Sequence, residues 1–145
     1  MKLSARVEYG VRAMAVLAFH YPEGALSLKE IAGREGISYQ FLEQIFPDLR
    51  RAGLIESVRG ARGGYLLARP PSEIKVGDIV RAVEGPIAPV SCLLEPPAGR
   101  SSCHRSSAGC LTRHVWEKLR DRINEVLDEV YLADLIDIKP AQLIN

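Results

Sequence analysis

No apolar run in this 145-residue chain is long enough to cross a bilayer. The longest, Ala13 to Phe19, falls far short of the roughly 20 residues that a spanning helix needs. The opening Met-Lys-Leu-Ser-Ala-Arg-Val-Glu alternates charged and apolar residues, unlike a signal peptide, so a cytoplasmic protein is expected. Excess charge of one sign is also missing: 19 Lys and Arg stand against 18 Asp and Glu. A net charge of +1 by itself points to no particular partner. Aromatic residues make up only 6%, and the one tryptophan, Trp116, suits packing better than chemistry. There is no internal repeat, no nucleophile elbow, no phosphate-cradling glycine loop and no pair of carboxylates arranged for acid–base work. An enzyme is therefore not expected. Cysteine is scarce too, with three in all, and an odd number in a reducing compartment argues against a disulfide framework.

What is present is an ordinary globular composition, 47% hydrophobic and 26% charged, in a length that suits one domain plus an oligomerisation element. Charge is unevenly placed. Met1 to Lys75 carries a net +3 and the remainder −2, and the stretch from Arg50 to Arg69 holds five Arg against one Glu.

The apolar periodicity predicts a mainly α fold. Ser4 caps a first helix with Val7, Val11, Met14 and Leu17 or Ala18 on one face, ending near Tyr21 before Pro22 and Gly24. His20, at its end, reads as a surface or capping residue. Ser27-Leu28-Lys29-Glu30 is a capping box that opens a short second helix, which Gly33 and Gly36 should stop. Ser38 caps a third, with Phe41 or Leu42, Ile45, Phe46 and Leu49 inward, and Pro47 should disturb it by removing the bond back to Glu43. Two short helices joined by a glycine-containing turn make a helix-turn-helix. Leu54 to Arg59 and Tyr65 to Ala68 then read as strands around the turn Gly60-Ala61-Arg62-Gly63-Gly64, which is a wing. A fourth helix is expected over Ser72 to Glu84. From Leu111 a long amphipathic helix steps through Val115, Leu119, Ile123, Val126 or Leu127 and Val130 for about five turns, roughly 30 Å.

The third helix has a face suited to reading DNA. Its outward set is Ser38, Tyr39, Gln40, Glu43 and Gln44, in the first two turns, the part that enters the major groove in this motif. Gln pairs with adenine and Glu accepts from cytosine, so the set is able to specify sequence. Arg50 and Arg51 follow the helix as phosphate contacts, while Arg59 and Arg62 sit at the wing tip, where an Arg is able to enter a narrow minor groove. The alternative is a winged helix that docks a protein, with a merely solvated basic hairpin.

Cys92, Cys103 and Cys110 share a segment rich in Pro, Gly and Ser, with ten and six residues between successive thiols. Soft thiolates select zinc or iron–sulfur clusters, yet these gaps match neither a ferredoxin run nor a zinc finger. Three thiols leave a site one ligand short, which His104, His114 or a partner subunit would supply. The residues alone also allow three thiols with no ligand.

Several stretches resemble a known family. They are Met1 to Ala13, Leu28 to Ala32, Ser38 to Ile45, Leu49 to Leu54, the wing Ser57 to Tyr65, and Cys110-Leu111-Thr112 followed by Trp116. All are similar to the winged-helix iron–sulfur cluster regulators typified by IscR and NsrR, and the likeness covers essentially the whole chain. It implies a homodimeric regulator of transcription that binds a double-stranded DNA operator, without membrane or small-molecule substrate. The implied architecture is a winged helix-turn-helix over 1–84, a cluster segment over 85–110, and a long dimerisation helix with its tail over 111–145. It also implies an iron–sulfur cluster, 2Fe-2S or 4Fe-4S, held by Cys92, Cys103 and Cys110. The chain departs from the family in its longer first cysteine gap and in Arg113, where regulators of cluster biogenesis place a His. The fourth ligand is then Glu8 of the partner subunit, matching an acidic residue in the first helix of other members, or His114. Two other readings stand beside this one: a cluster-free thiol-sensing repressor of the same family, and a metal or redox carrier that docks a protein.

Overall fold

The computed structural model describes residues 2–94 and 111–137. Within them run α1 (Ala5–His20), α2 (Leu28–Glu35), α3 (Tyr39–Arg51), β1 (Ile55–Val58), β2 (Gly64–Leu67), α4 (Val76–Glu84), α5 (Arg113–Glu129) and α6 (Leu132–Ile136). The fold is mainly helical, with one two-stranded antiparallel sheet as the wing and a long C-terminal helix, the expected class.

Helix α1 is the central element. The Ser4 hydroxyl caps it by accepting from the Val7 amide at 3.3 Å. Val7, Ala13, Met14, Leu17 and Ala18 are buried, packing the helix on α3, α4 and α6. Both halves of the α2 capping box form: the Ser27 hydroxyl accepts from Glu30 N at 3.2 Å, and Ser27 N donates to the Glu30 carboxylate at 2.8 Å. Ser27→Ala is expected to cost about 1 kcal/mol in urea unfolding, because it orphans a helix-terminal donor. A loss under about 0.3 kcal/mol would mean that water replaces the cap.

Gly33 does not stop α2, contrary to expectation; the helix passes through it and ends at Gly36, whose φ of 64° supplies the left-handed cap. Helix α3 runs on past Pro47 to Arg51. Both Pro47 and Glu43 are exposed, on the side of the helix away from the core. Beneath that face Leu42, Ile45, Phe46 and Leu49 are buried, as expected.

The wing pairs Ile55 with Leu67 through to Val58 with Gly64. It is tied to the helices by a second pairing, with Tyr65 N donating to Leu26 O at 2.8 Å and Leu26 N to Tyr65 O at 2.9 Å.

The fourth helix is shorter than expected. A 3-10 turn covers Pro71–Glu73, residues 74 and 75 are extended, and α4 starts only at Val76, where Asp78 accepts the Lys75 amide at 3.1 Å. This stretch and the first residue of α4 pair with 130–132: Val76 N donates to Val130 O at 2.8 Å and Leu132 N to Ile74 O at 2.9 Å. Helix α5 begins at Arg113, two residues after the expected Leu111, and its 17 residues span about 26 Å. The short α6 that follows was not foreseen. Arg81 joins α4 to α5, donating to Asn124 Oδ1 at 2.9 Å and to the Asp128 carboxylate. Hydrogen bonding to Asp128 raises the Arg81 pKa against the opposing effect of desolvation.

Candidate nucleic-acid interface and cysteine segment

Ser38, Tyr39, Gln40, Glu43 and Gln44 are all exposed, on the first two turns of α3. The helix presents them because its opposite side is sealed into the core. Ser38 acts locally, within its own turn. Its hydroxyl accepts from Phe41 N at 3.3 Å, capping the helix, and donates to Gln40 Oε1 at 3.1 Å. Tyr39 and Glu43 stand one turn apart and line a single cleft of about 670 Å³ with Ser27, Leu28, Lys29, Gly64 and Tyr65. Hydrogen bonding to Glu43, and then the charge of its carboxylate, push the Tyr39 phenol above its ordinary pKa.

Arg50 and Arg51 are exposed in the last turn of α3. Arg51 is steadied by Asp48 at 3.0 Å, and Asp48 also pairs with Arg6 of α1. Arg6 donates in turn to the Val83 carbonyl at 3.0 Å, so one network links α1, α3 and α4. Arg59 and Arg62 are exposed beyond the strands, on the turn of the hairpin. The structure thus carries all nine residues expected to read DNA on the exposed parts of α3 and the wing.

Cys92 is half-buried in a 3-10 turn over Ser91–Leu93. Its carbonyl accepts from the Arg113 guanidinium at 3.3 Å, which ties the start of the cysteine segment to the start of α5. Cys103, His104 and Cys110 lie outside the described residues. Glu8 is exposed in the first turn of α1, where a carboxylate suits the helix dipole, and His114 is exposed in the first turn of α5. Among the described residues no three His, Cys, Asp or Glu come together as a metal site, and no helix there is long and apolar enough to cross a membrane.

Two residues of the cleft escaped sequence reasoning, Lys29 and Tyr65. The signal for Lys29 was its place in the first turn of the helix preceding the reading helix, the element that crosses the DNA backbone in this motif. Tyr65 looked like an ordinary strand residue, and only the folded hairpin brings it to Tyr39.

A family model described as Rrf2: Iron-dependent Transcriptional regulator matches residues 3–138. The HTH-type transcriptional regulator CymR of Bacillus subtilis (strain 168) is 42% identical over 135 residues, 93% of this chain and 89% of that protein. The solved structure of CymR, the global cysteine regulator of B. subtilis, matches with a TM-score of 0.74 at 40% identity, covering 94% of this chain and 96% of that one. The structure of T. potens IscR matches with a TM-score of 0.77 at 45% identity, covering 98% and 91%. These likenesses are to regulators of transcription rather than to an enzyme. The chain belongs to the Rrf2 family of winged helix-turn-helix transcriptional regulators.

Proposed function

We propose that this regulator binds its operator as a homodimer, under the control of an iron–sulfur cluster held by the three cysteines. The observation that carries DNA reading is the exposed polar face of α3 set between Arg50 and Arg51 on one side and the Arg-bearing wing on the other. Tyr39, Gln40, Glu43 and Gln44 meet base edges, Ser38 holds the helix start, and the four Arg meet phosphate or the minor groove. The second copy is argued from α5. No residue of this helix is buried, and Leu111, Val115 and Val126 beside or within it are 93%, 56% and 60% exposed. An apolar stripe of that length on one helix suits a partner helix. The division into 1–84, 85–110 and 111–145 follows these roles.

The donor chemistry fits a cluster. Cys92, Cys103 and Cys110 are soft ligands on one segment, and Glu8 of the partner subunit or His114 completes the set. When bound, a cluster supplies a charge that changes with redox state, iron supply or nitric oxide. This chain's own part is transmission. Arg113 holds the Cys92 carbonyl, Arg81 clamps α5 to α4, and Arg6 joins α4 to α3. A change at the cysteines thus biases the reading helix through contacts already in place.

The likeness to CymR, a cysteine regulator, favours a second reading in which the same thiols sense oxidants without a cluster. Anaerobic purification separates the two. The cluster reading expects a brown protein with visible charge-transfer bands, with iron and sulfide in cluster ratio, and a colourless Cys92→Ser, Cys103→Ser, Cys110→Ser variant. Operator affinity should shift between loaded and cluster-free forms and fall steeply with salt. A parent that stays colourless after anaerobic reconstitution overturns the cluster and leaves the thiol sensor. Sequence-blind binding overturns operator reading.

A further inference from the structure

We propose that Tyr39 is a positioning residue of the base-reading face, whose hydroxyl holds the Glu43 carboxylate as a fixed acceptor for an exocyclic amino group in the major groove. The inference rests on the DNA-reading role of α3 and deepens it, naming what the face selects and which residue sharpens the choice.

Residues four apart on a helix stand one above the other, so the phenol and the carboxylate are neighbours by geometry. They share the cleft between α3 and the base of the wing with Lys29 and Tyr65. Among the described residues Glu43 has no ion pair, which leaves Tyr39 as its companion. The phenol is well suited to this role. Its ring has two side-chain torsions, whereas a glutamate ordered from solution loses roughly 1.5–2 kcal/mol of rotamer freedom. A donor one turn away on the same helix, able to meet the carboxylate before DNA arrives, removes part of that loss. A phenol stays protonated, and so a donor, throughout the physiological range.

A carboxylate accepts and never donates when ionised. In the major groove it therefore favours the amino groups of cytosine or adenine, and it is repelled by the acceptors of guanine and the O4 of thymine. Gln40 is biased the other way. Its Oε1 accepts from Ser38 at 3.1 Å, which leaves the amide NH₂ as its outward end, suited to acceptors. The face thus offers an acceptor at Glu43 and a donor at Gln40, each oriented by a neighbouring hydroxyl. Neither orientation depends on the cysteines.

The test is selection of duplexes from a random-sequence pool, at one salt concentration, by the parent protein, Tyr39→Phe and Glu43→Gln. The parent should enrich cytosine or adenine at one position of each half-site, and Glu43→Gln should lose that preference alone. Tyr39→Phe keeps the ring and removes only the hydroxyl. The preference at that one position should fall roughly five- to tenfold, within the range one base contact contributes, while the preferences at the other positions of the half-site stay as in the parent. An unchanged preference in Tyr39→Phe overturns the inference, as does a loss spread evenly over all positions, which would mark a structural role. A parent that enriches other positions but no amino-bearing base overturns this inference alone. A parent that enriches nothing overturns the DNA-reading role along with it.

Discussion

Replacing Phe46 by alanine is expected to lower the unfolding free energy by about 3–5 kcal/mol, the usual range for a buried Phe lost from a core. The ring is completely buried on the inner side of α3, and it meets Tyr65 edge to face with centroids 4.9 Å apart and planes at 74°. The removed atoms lie between the reading helix and the wing, where a collapse would have to move one relative to the other. Domains of this kind have only about 5–15 kcal/mol in total, so the melting temperature should fall by roughly 10–15 °C. Urea unfolding at one fixed protein concentration measures it, because any dimer makes stability depend on concentration. Phe46→Leu, which keeps most of the volume, should cost under about 1.5 kcal/mol. A loss below about 1 kcal/mol in the alanine variant would contradict the packing described for α3. The functional reading adds a second expectation: operator affinity should fall even at temperatures where the variant is folded, since Tyr65 has lost its neighbour.

The sequence exposed this packing because its signals were local. Ser27 with Glu30, and Ser38 with the Leu42, Ile45, Phe46 and Leu49 stripe, each state a cap or a face within four to twelve residues. A cap competes only with its own chain neighbours, so reading it requires no knowledge of the rest. The wing was legible for the same reason, through a five-residue turn with four Gly or Ala between two strand-like runs. The segment from Ser72 was misread because Ile74 and Val76, both buried, lie two apart and so fit a strand, while Ile79, Val80 and Val83 fit a helix. Joined together they satisfied a helical period well enough to hide the extended stretch. What resolves the ambiguity is distant: the pairing of 74–76 with 130–132, more than fifty residues away. How far Pro47 disturbs α3 is likewise not a local matter. The cost of a proline inside a helix depends on whether the orphaned carbonyl meets water, and burial is a tertiary property.

Of the candidate site, the outward face of α3 and the wing arginines were legible from periodicity and composition. The contacts that orient them were not. Arg6 with Asp48, Arg81 with Asp128, and Tyr65 in the cleft all cross long stretches of sequence. Tyr39 and Glu43 are the exception, since an i,i+4 spacing was on view from the start. The cysteine spacing carried least, because the gaps in a segment full of Pro and Gly do not say where its ends are held. The link from Cys92 to Arg113 supplies one such anchor.

Gly64→Ala should strike the wing itself and leave the helices largely standing. Gly64 has a φ of 150°, and a Cβ there would lie 2.2 Å from the Leu26 carbonyl oxygen and 2.7 Å from the Ser27 amide nitrogen. These are backbone atoms at the start of α2, held by the two Leu26–Tyr65 bonds and by the capping box, so neither is free to yield. The strand must retreat instead and abandon that pairing. Overpacking of about 1–3 kcal/mol and backbone strain of about 1–2 kcal/mol together predict a destabilisation of roughly 2–4 kcal/mol. The retreat also carries Arg59 and Arg62 away from their place beside α3, so operator affinity should fall by roughly tenfold or more, as if base-edge contacts worth about 1–3 kcal/mol each had been lost. Far-ultraviolet circular dichroism below the melting transition should stay close to the parent, because no helix contains the substituted residue. Gly33→Ala is the matched control. It sits inside α2 with nothing within 4 Å of the added methyl, so it should stabilise by about 0.5–1 kcal/mol and leave DNA binding unchanged. Parent-like melting and binding in Gly64→Ala would show that the wing does not rest on Leu26. The position of Arg59 and Arg62 would then have to be set by the hairpin alone.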